Sequence, residues 1–261
     1  IDIDETNAIV LSDVDTNDGS ITVDAGGQIT ATDVASLTDA DANDISLTTT
    51  AGDIAVGTVT AGSAGDATLN AAANITDDGS GATVLAADDL IADAGGSVTL
   101  DTTVDSANVS TSAAGDIDID ETNAIVLSDV DTNDGSITVD AGGQITATDV
   151  ASLTDNDTND ISLTTTAGDI AVGTVTAGSA GDATLNAAAN ITDDGSALTV
   201  LAADVLTADA GGSVTLDTTV DSANVSTSAA GNIDIDETNA IVLSDVDTND
   251  GSITVDAGGQ I

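Results

Sequence analysis

A parallel β-solenoid is the fold class the sequence predicts, and three observations predict it. The chain is a long, nearly perfect repeat; a finer period of about 23 residues runs inside that repeat; and apolar residues alternate with polar ones in short runs. Residues 1–116 return as 117–232 with seven changes: Ala40/Asn156, Ala42/Thr158, Gly81/Ala197, Ala82/Leu198, Asp89/Val205, Ile91/Thr207 and Asp116/Asn232. A third copy, 233–261, stops at Ile261, the counterpart of Ile29. The chain therefore reads as one continuous solenoid, a stretch of a longer array.

The first strand of each coil opens on an apolar pair at Ile1/Ile3, Ile21/Val23, Ile45/Leu47, Ala67/Leu69 and Leu90/Ala92. The next repeat opens at Ile117/Ile119, giving intervals of 20, 24, 22, 23 and 27 residues. A corner follows, as in "DAGGQ" (Asp24–Gln28) and "DAGGS" (Asp93–Ser97), where glycine is expected to supply a positive φ. The second strand is anchored at Ile9, Ile29, Ile54, Ile75 and Val98, and the third at Val14, Val34, Val59, Val84 and Val104. Apolar spacing of two, abundant β-branched residues and frequent glycine argue against helices. Three strands per coil and five coils per 116 residues describe a parallel β-helix, in which no coil buries its apolar face without neighbours. At the ~4.8 Å spacing of paired strands, one repeat advances about 24 Å, and some eleven coils span about 54 Å. Tandem β-sandwich domains of immunoglobulin or cadherin type are the alternative, since 116 residues suits one such domain. The lack of Trp, Tyr, Phe and Pro, and the finer period, weigh against them.

Composition narrows the function. The 261 residues include 47 Asp and Glu and no Lys, Arg or His, for a formal charge of −47. Only Glu5, Glu121 and Glu237 are Glu, so the acid is mostly Asp, a turn-forming residue. Such charge repels nucleic acid and acidic lipid surfaces. No apolar run is long enough to suggest membrane insertion as a helix. Catalysis is not expected: His, Cys, Tyr and Lys are absent, and no cation exists to hold an anionic substrate.

The stretches "DISLTTTAGDIAVGTV" (Asp44–Val59, again at Asp160–Val175) and "GSITVDAGGQITA" (Gly19–Ala31) resemble the repeats of filamentous-haemagglutinin-like adhesins and related giant bacterial surface proteins. That resemblance implies a right-handed parallel β-helix, export to the bacterial cell surface, and adhesion or matrix building. The expected function is thus a structural or adhesive extracellular fibre. Its partners are the flanking repeats of the same chain, and neighbouring copies in a filament or cell-surface layer. An ice-binding solenoid, suggested by the rows Thr30–Thr32 and Thr58–Thr60, or a polysaccharide-binding one is the alternative.

The candidate site is a pattern of Asp-x-Asp-x-Asn-Asp. It occurs at Asp13, Asp15, Asn17 and Asp18, and again at Asp39, Asp41, Asn43 and Asp44. The second copy carries it at Asp129, Asp131, Asn133 and Asp134, and at Asp155, Asp157, Asn159 and Asp160. Hard oxygen donors at alternating positions suit calcium. The same residues equally suit Asx-turns and a solvated exterior, as do Asp77 and Asp78. A second row precedes the first strands: Ser20, Asp44, Asp66, Asp89 and Asp116. Two carboxylates about 5 Å apart repel by roughly 3 kcal/mol at an effective dielectric of 20, so such a row needs relief.

Overall fold

The computed structural model describes residues 1–77, 79, 84–193, 195 and 200–261; Asp78, Gly81, Ala82, Ala197 and Leu198, and the side chain of Val84, lie outside the described residues. It is all-β, with parallel strands stacked as a β-solenoid of about 12 turns. The residues group into two compact units, Ile1–Asn123 and Ala124–Ile261, and each is wound this way.

In the first unit one face is built by β1 (Asp2–Glu5), β4 (Ile21–Ala25), β7 (Ile45–Thr49), β10 (Ala67–Ala71), β13 (Asp89–Ala94) and β15 (Ser106–Ala114). Their pairing is parallel and in register, with Ile21 over Ile45, Ala67 over Leu90 and Leu90 over Ala107. The second face is built by β2 (Ile9–Leu11), β5 (Ile29–Ala31), β8 (Ile54–Val56), β11 (Ile75–Asp77), β14 (Val98–Thr103) and β16 (Ile117–Glu121). Here Ile9, Ile29, Ile54, Ile75, Val98 and Ile117 form one column. The third face holds β3 (Val14–Thr16), β6 (Val34–Ser36), β9 (Thr58–Thr60) and β12 (Val84–Ala86), followed by the end of β14.

Alternation decides which side chains enter the tube. In β4 the inward Ile21, Val23 and Ala25 are buried while Asp24 is exposed. Most inward positions are aliphatic and small, so a narrow interior fills without aromatics. Burying each Ile, Val or Leu is worth roughly 1.5–3 kcal/mol. Backbone groups pair with the windings above and below, as in Ile21 N to Asp44 O and Ile45 N to Asp66 O, both 2.9 Å.

Three expectations are corrected. The 27-residue interval after Leu90 is not one long coil, because Ala107 and Val109 form an additional first-face strand only 17 residues after Leu90 and Ala92. Ile117 therefore does not return to the first face; it stacks on Val98 of the second. On the third face Leu85, rather than Val84, lies over Val59, because in a strand a slip of one residue exchanges the inner and outer sides. The corner glycines Gly26 and Gly95 are not among the residues of positive φ. They serve close approach instead: a Cβ would fall 2.0 Å from the Thr6 carbonyl oxygen at Gly26 and 2.1 Å from that of Ala72 at Gly95.

The second unit repeats the scheme with fewer breaks. Ile137–Ala141, Ile161–Thr165, Ala183–Ala187 and the end of Val200–Ala210 stack as one face. Val130, Val150, Val175, Leu201, Thr218 and Glu237 form its third-face column.

Candidate functional site

Asn17 and Asp18, residues 39–44 and residues 155–160 lie where a third-face strand turns toward the next first-face strand, whereas Asp15 lies within β3 and residues 129–134 close the strand Ile125–Asp134. Asn43 is the centre of the acidic loops in the first unit and is only 2% exposed. Its Nδ2 donates to Asp18 Oδ1 at 3.2 Å and to the Thr38 carbonyl at 2.7 Å, and its Oδ1 accepts from Gly19 N at 2.9 Å. Gly19 has φ +117, a conformation that L side chains rarely adopt. Thr38 Oγ1 donates to the Asn17 carbonyl, so the upper and lower loops are tied twice. The second unit reproduces this: Asn159 Nδ2 donates to Asp134 Oδ1 and to the Thr154 carbonyl, both at 2.8 Å.

The outer acids face the following winding. Asp39 Oδ2 accepts from Ser63 Oγ at 2.7 Å. Its counterpart Asp155 accepts Ser179 N at 2.9 Å, Ser179 Oγ at 2.6 Å and Ala180 N at 2.8 Å. The Ser179 hydroxyl, with the two N–H groups, holds the Asp155 carboxyl below its ordinary range against some desolvation. Asp44 Oδ1 accepts Asp66 N at 3.1 Å, and Asp160 Oδ1 accepts Asp182 N at 2.9 Å. Asp13 and Asp15 stand together: desolvation, then the charges of Asp13 and Asp33, raise the Asp15 carboxyl. Asp131 is raised by desolvation and then by Asp129 and Asp149. Asp41 and Asp157 act at a distance, their charges helping to raise Asp66 and Asp182, in which desolvation is the larger cause.

The loops thus bring Asp18 to Asn43 and Asp134 to Asn159, while Asp39, Asp44, Asp155 and Asp160 serve as acceptors for the next winding. Among the described residues no three carboxylates converge in a way that could hold a metal ion. Asp193, Asp217, Asp234 and Asp236 do line one open cleft of about 290 Å³ on the second unit.

The polar row before the first strands is real as far as Asp89. Asp66 Oδ1 accepts Asp89 N at 3.3 Å, and Asp89 Oδ1 accepts Ser106 Oγ at 2.5 Å, so the fifth rung is Ser106 and not Asp116. Asp116 belongs to a different corner, where its N–H donates to Ser97 Oγ at 3.1 Å. That corner has its own row, which the alternation of strands does not reveal. Asp53 Oδ1 accepts Asn74 N at 2.9 Å, and Asn74 Oδ1 accepts Ser97 N at 2.9 Å. In the second unit Asp169, Asn190, Ser213, Asn232 and Ser252 continue the same relay. Each rung offers an acceptor to the N–H below, which offsets like-charge crowding by hydrogen bonding.

Sequence reading also misses the buried carboxylates. Glu121 is 4% exposed, its Oε2 accepting from Thr102 Oγ1 and Val104 N and its Oε1 from Asn123 N. Desolvation raises its carboxyl, with the N–H donors pulling the other way. Glu237 accepts the same set from Thr218, Val220 and Asn239. The signal was present: Glu occurs once per repeat, at an inward position of "IDIDE".

No protein-family model matches the chain, and neither curated proteins nor solved structures provide a match. The geometry places the chain among parallel β-solenoid repeat proteins and is compatible with a β-helix repeat protein.

Proposed function

We propose that the chain is a structural segment of an extracellular, bacterial cell-surface fibre or stalk, in which stacked windings serve length and stiffness, and adhesion is the task of the larger protein. The observation that carries this reading is the conversion of acidic corners into relays between windings. Asp44, Asn74 and Asp155 each accept from the next turn of the chain, and Asn43 reaches back to Asp18 and Gly19 of the turn before. A binding module would be expected to keep convergent polar groups free for a ligand.

The exterior suits a secreted filament. With no Lys or Arg the chain has no trypsin site, and high negative charge keeps neighbouring filaments apart at low salt. Divalent cations, calcium included, act in this proposal as bridging counter-ions between carboxylates of neighbouring copies. The test is digestion of the purified chain with elastase, which cleaves after Ala and Val, in the presence of chelator. A stiff self-sufficient segment stays intact for hours while its heat-unfolded form is cleared in minutes. Equal digestion of both forms would sink the reading.

A further inference from the structure

We infer that the repeat does not close on a whole number of windings: within each unit, the segment that opens the next copy of the repeat joins a different wall from the one its counterpart joined. The first unit holds the primary observation. Asp2, Thr22, Ser46, Thr68, Ile91 and Asn108 follow one another on the first face through five successive pairings, hence five windings. The residue that repeats Asp2 is Asp118, and it is paired with Thr99 on the second face. One repeat is therefore five windings and a third.

The second unit shows the same step with identical sequences. "ITVDA" at Ile137–Ala141 pairs with Ile161–Thr165 on the first face of that unit. The same five residues at Ile253–Ala257 pair with Ile233–Glu237, which in turn pair with Val214–Thr218 in the column of Ile191, Ile170 and Ile145. The acidic segment moves likewise: Val130 lies over Val150 on the third face, whereas its counterpart Val246 lies over Val225 on the first.

The core permits this because its columns are interchangeable. Ile21 meets Ile45 and Ala67 meets Leu90 on one face, while Ile117 meets Val98 on the next. A strand carrying Ile, Val, Leu or Ala inward fits any of the three walls. The consequence concerns recognition: within a unit, a segment and its copy in the next repeat are presented on different walls. This rests on strand register alone, and it stands or falls independently of the fibre reading.

The chain has no Cys, so paired cysteines read the register directly. Parallel neighbours about 4.8 Å apart fall within the Cα separation that a disulfide spans. T99C/D118C is expected to oxidise to a disulfide, as is the same-face control I91C/N108C, while I91C/D118C stays reduced, all three retaining the parent circular dichroism spectrum. In the later repeat T215C/D234C is expected to link and T207C/D234C to remain free. A bond in I91C/D118C, or none in T99C/D118C when I91C/N108C links, overturns the inference.

Discussion

Glu121 Oε2 sits 2.8 Å from Thr102 Oγ1 inside the wall of the solenoid, one winding apart, where the third-face column changes from Val34, Val59 and Leu85 to polar residues. The same carboxylate accepts Val104 N at 3.0 Å, so a buried charge is held by three donors. E121A leaves the N–H groups of Val104 and Asn123 without acceptors, and leaving a buried donor unpaired costs about 1–3 kcal/mol each. A fall of that order in unfolding free energy by urea titration is expected. E121Q, which keeps one acceptor oxygen, should lose less. E5A is the control, since the Glu5 carboxylate bonds its chain neighbours Thr6 and Asn7.

Asn43 joins two acidic loops through its bonds to Gly19 and Asp18 and braces its own loop at the Thr38 carbonyl, while almost wholly buried. N43A is expected to destabilise by about 1–3 kcal/mol and to free the Gly19 amide, which hydrogen exchange would register as lost protection. N43D retains an acceptor for Gly19 but places a second carboxylate beside Asp18. It should be worse at neutral pH than at pH 4.

The two kinds of glycine should separate cleanly. G95A pushes a Cβ against the Ala72 carbonyl, a backbone atom that cannot step aside, and overpacking of this kind costs about 1–3 kcal/mol or more. At Gly79, with φ +67, an added Cβ meets nothing within 4 Å, so G79A costs only the left-handed conformation, about 1–2 kcal/mol. Thermal melts showing G79A more harmful than G95A would contradict the corner geometry.

Acid should stabilise the fold. Desolvation is the first cause that raises Asp15, Asp66, Asp88, Asp131, Asp182 and Glu121. A raised folded value means that the native chain holds protons more tightly than the unfolded one. Stability therefore grows as pH falls from neutral through the raised values and is complete below the ordinary carboxylate range near 4. Glu5 and Asp155 are lowered and oppose this at still lower pH. The melting temperature at fixed ionic strength should rise between pH 7 and pH 4.5; a steady fall over that interval would refute the assignment.

Cations should act in the same direction without a preferred seat. Calcium and magnesium at equal ionic strength are expected to raise the melting temperature alike and without sharp saturation, because the described carboxylates do not converge. A saturable response to calcium alone, abolished in D13N/D15N, would instead make those loops true ligands.

The winding was legible because β-branched residues alternate so regularly that Ile21, Val23, Ile45 and Leu47 declare an inner side. Its exact step was not. Ala107 and Val109 lie between serines and an asparagine, so their strand reads as loop, and Glu121 looks like an exterior residue although Thr102 and Val104 enclose it. Alternation reports inside against outside, but the three walls of a triangular tube have identical preferences. Which wall a strand joins depends on how many residues the preceding corners consume. The Asp-Asn loops were recognised as special, yet their use became visible only once Asn43 was seen between Asp18 and Gly19.

The fractional winding number bears on crowding. If the repeat closed on five whole turns, equivalent points would stand in single file about 24 Å apart at the spacing of paired strands. A globular domain of about 100 residues is roughly 34 Å across, so passengers attached once per repeat would jostle. A step of a third moves the passenger at the opening of the next repeat onto a different wall of the same unit, so that it does not share a flank with the one before it.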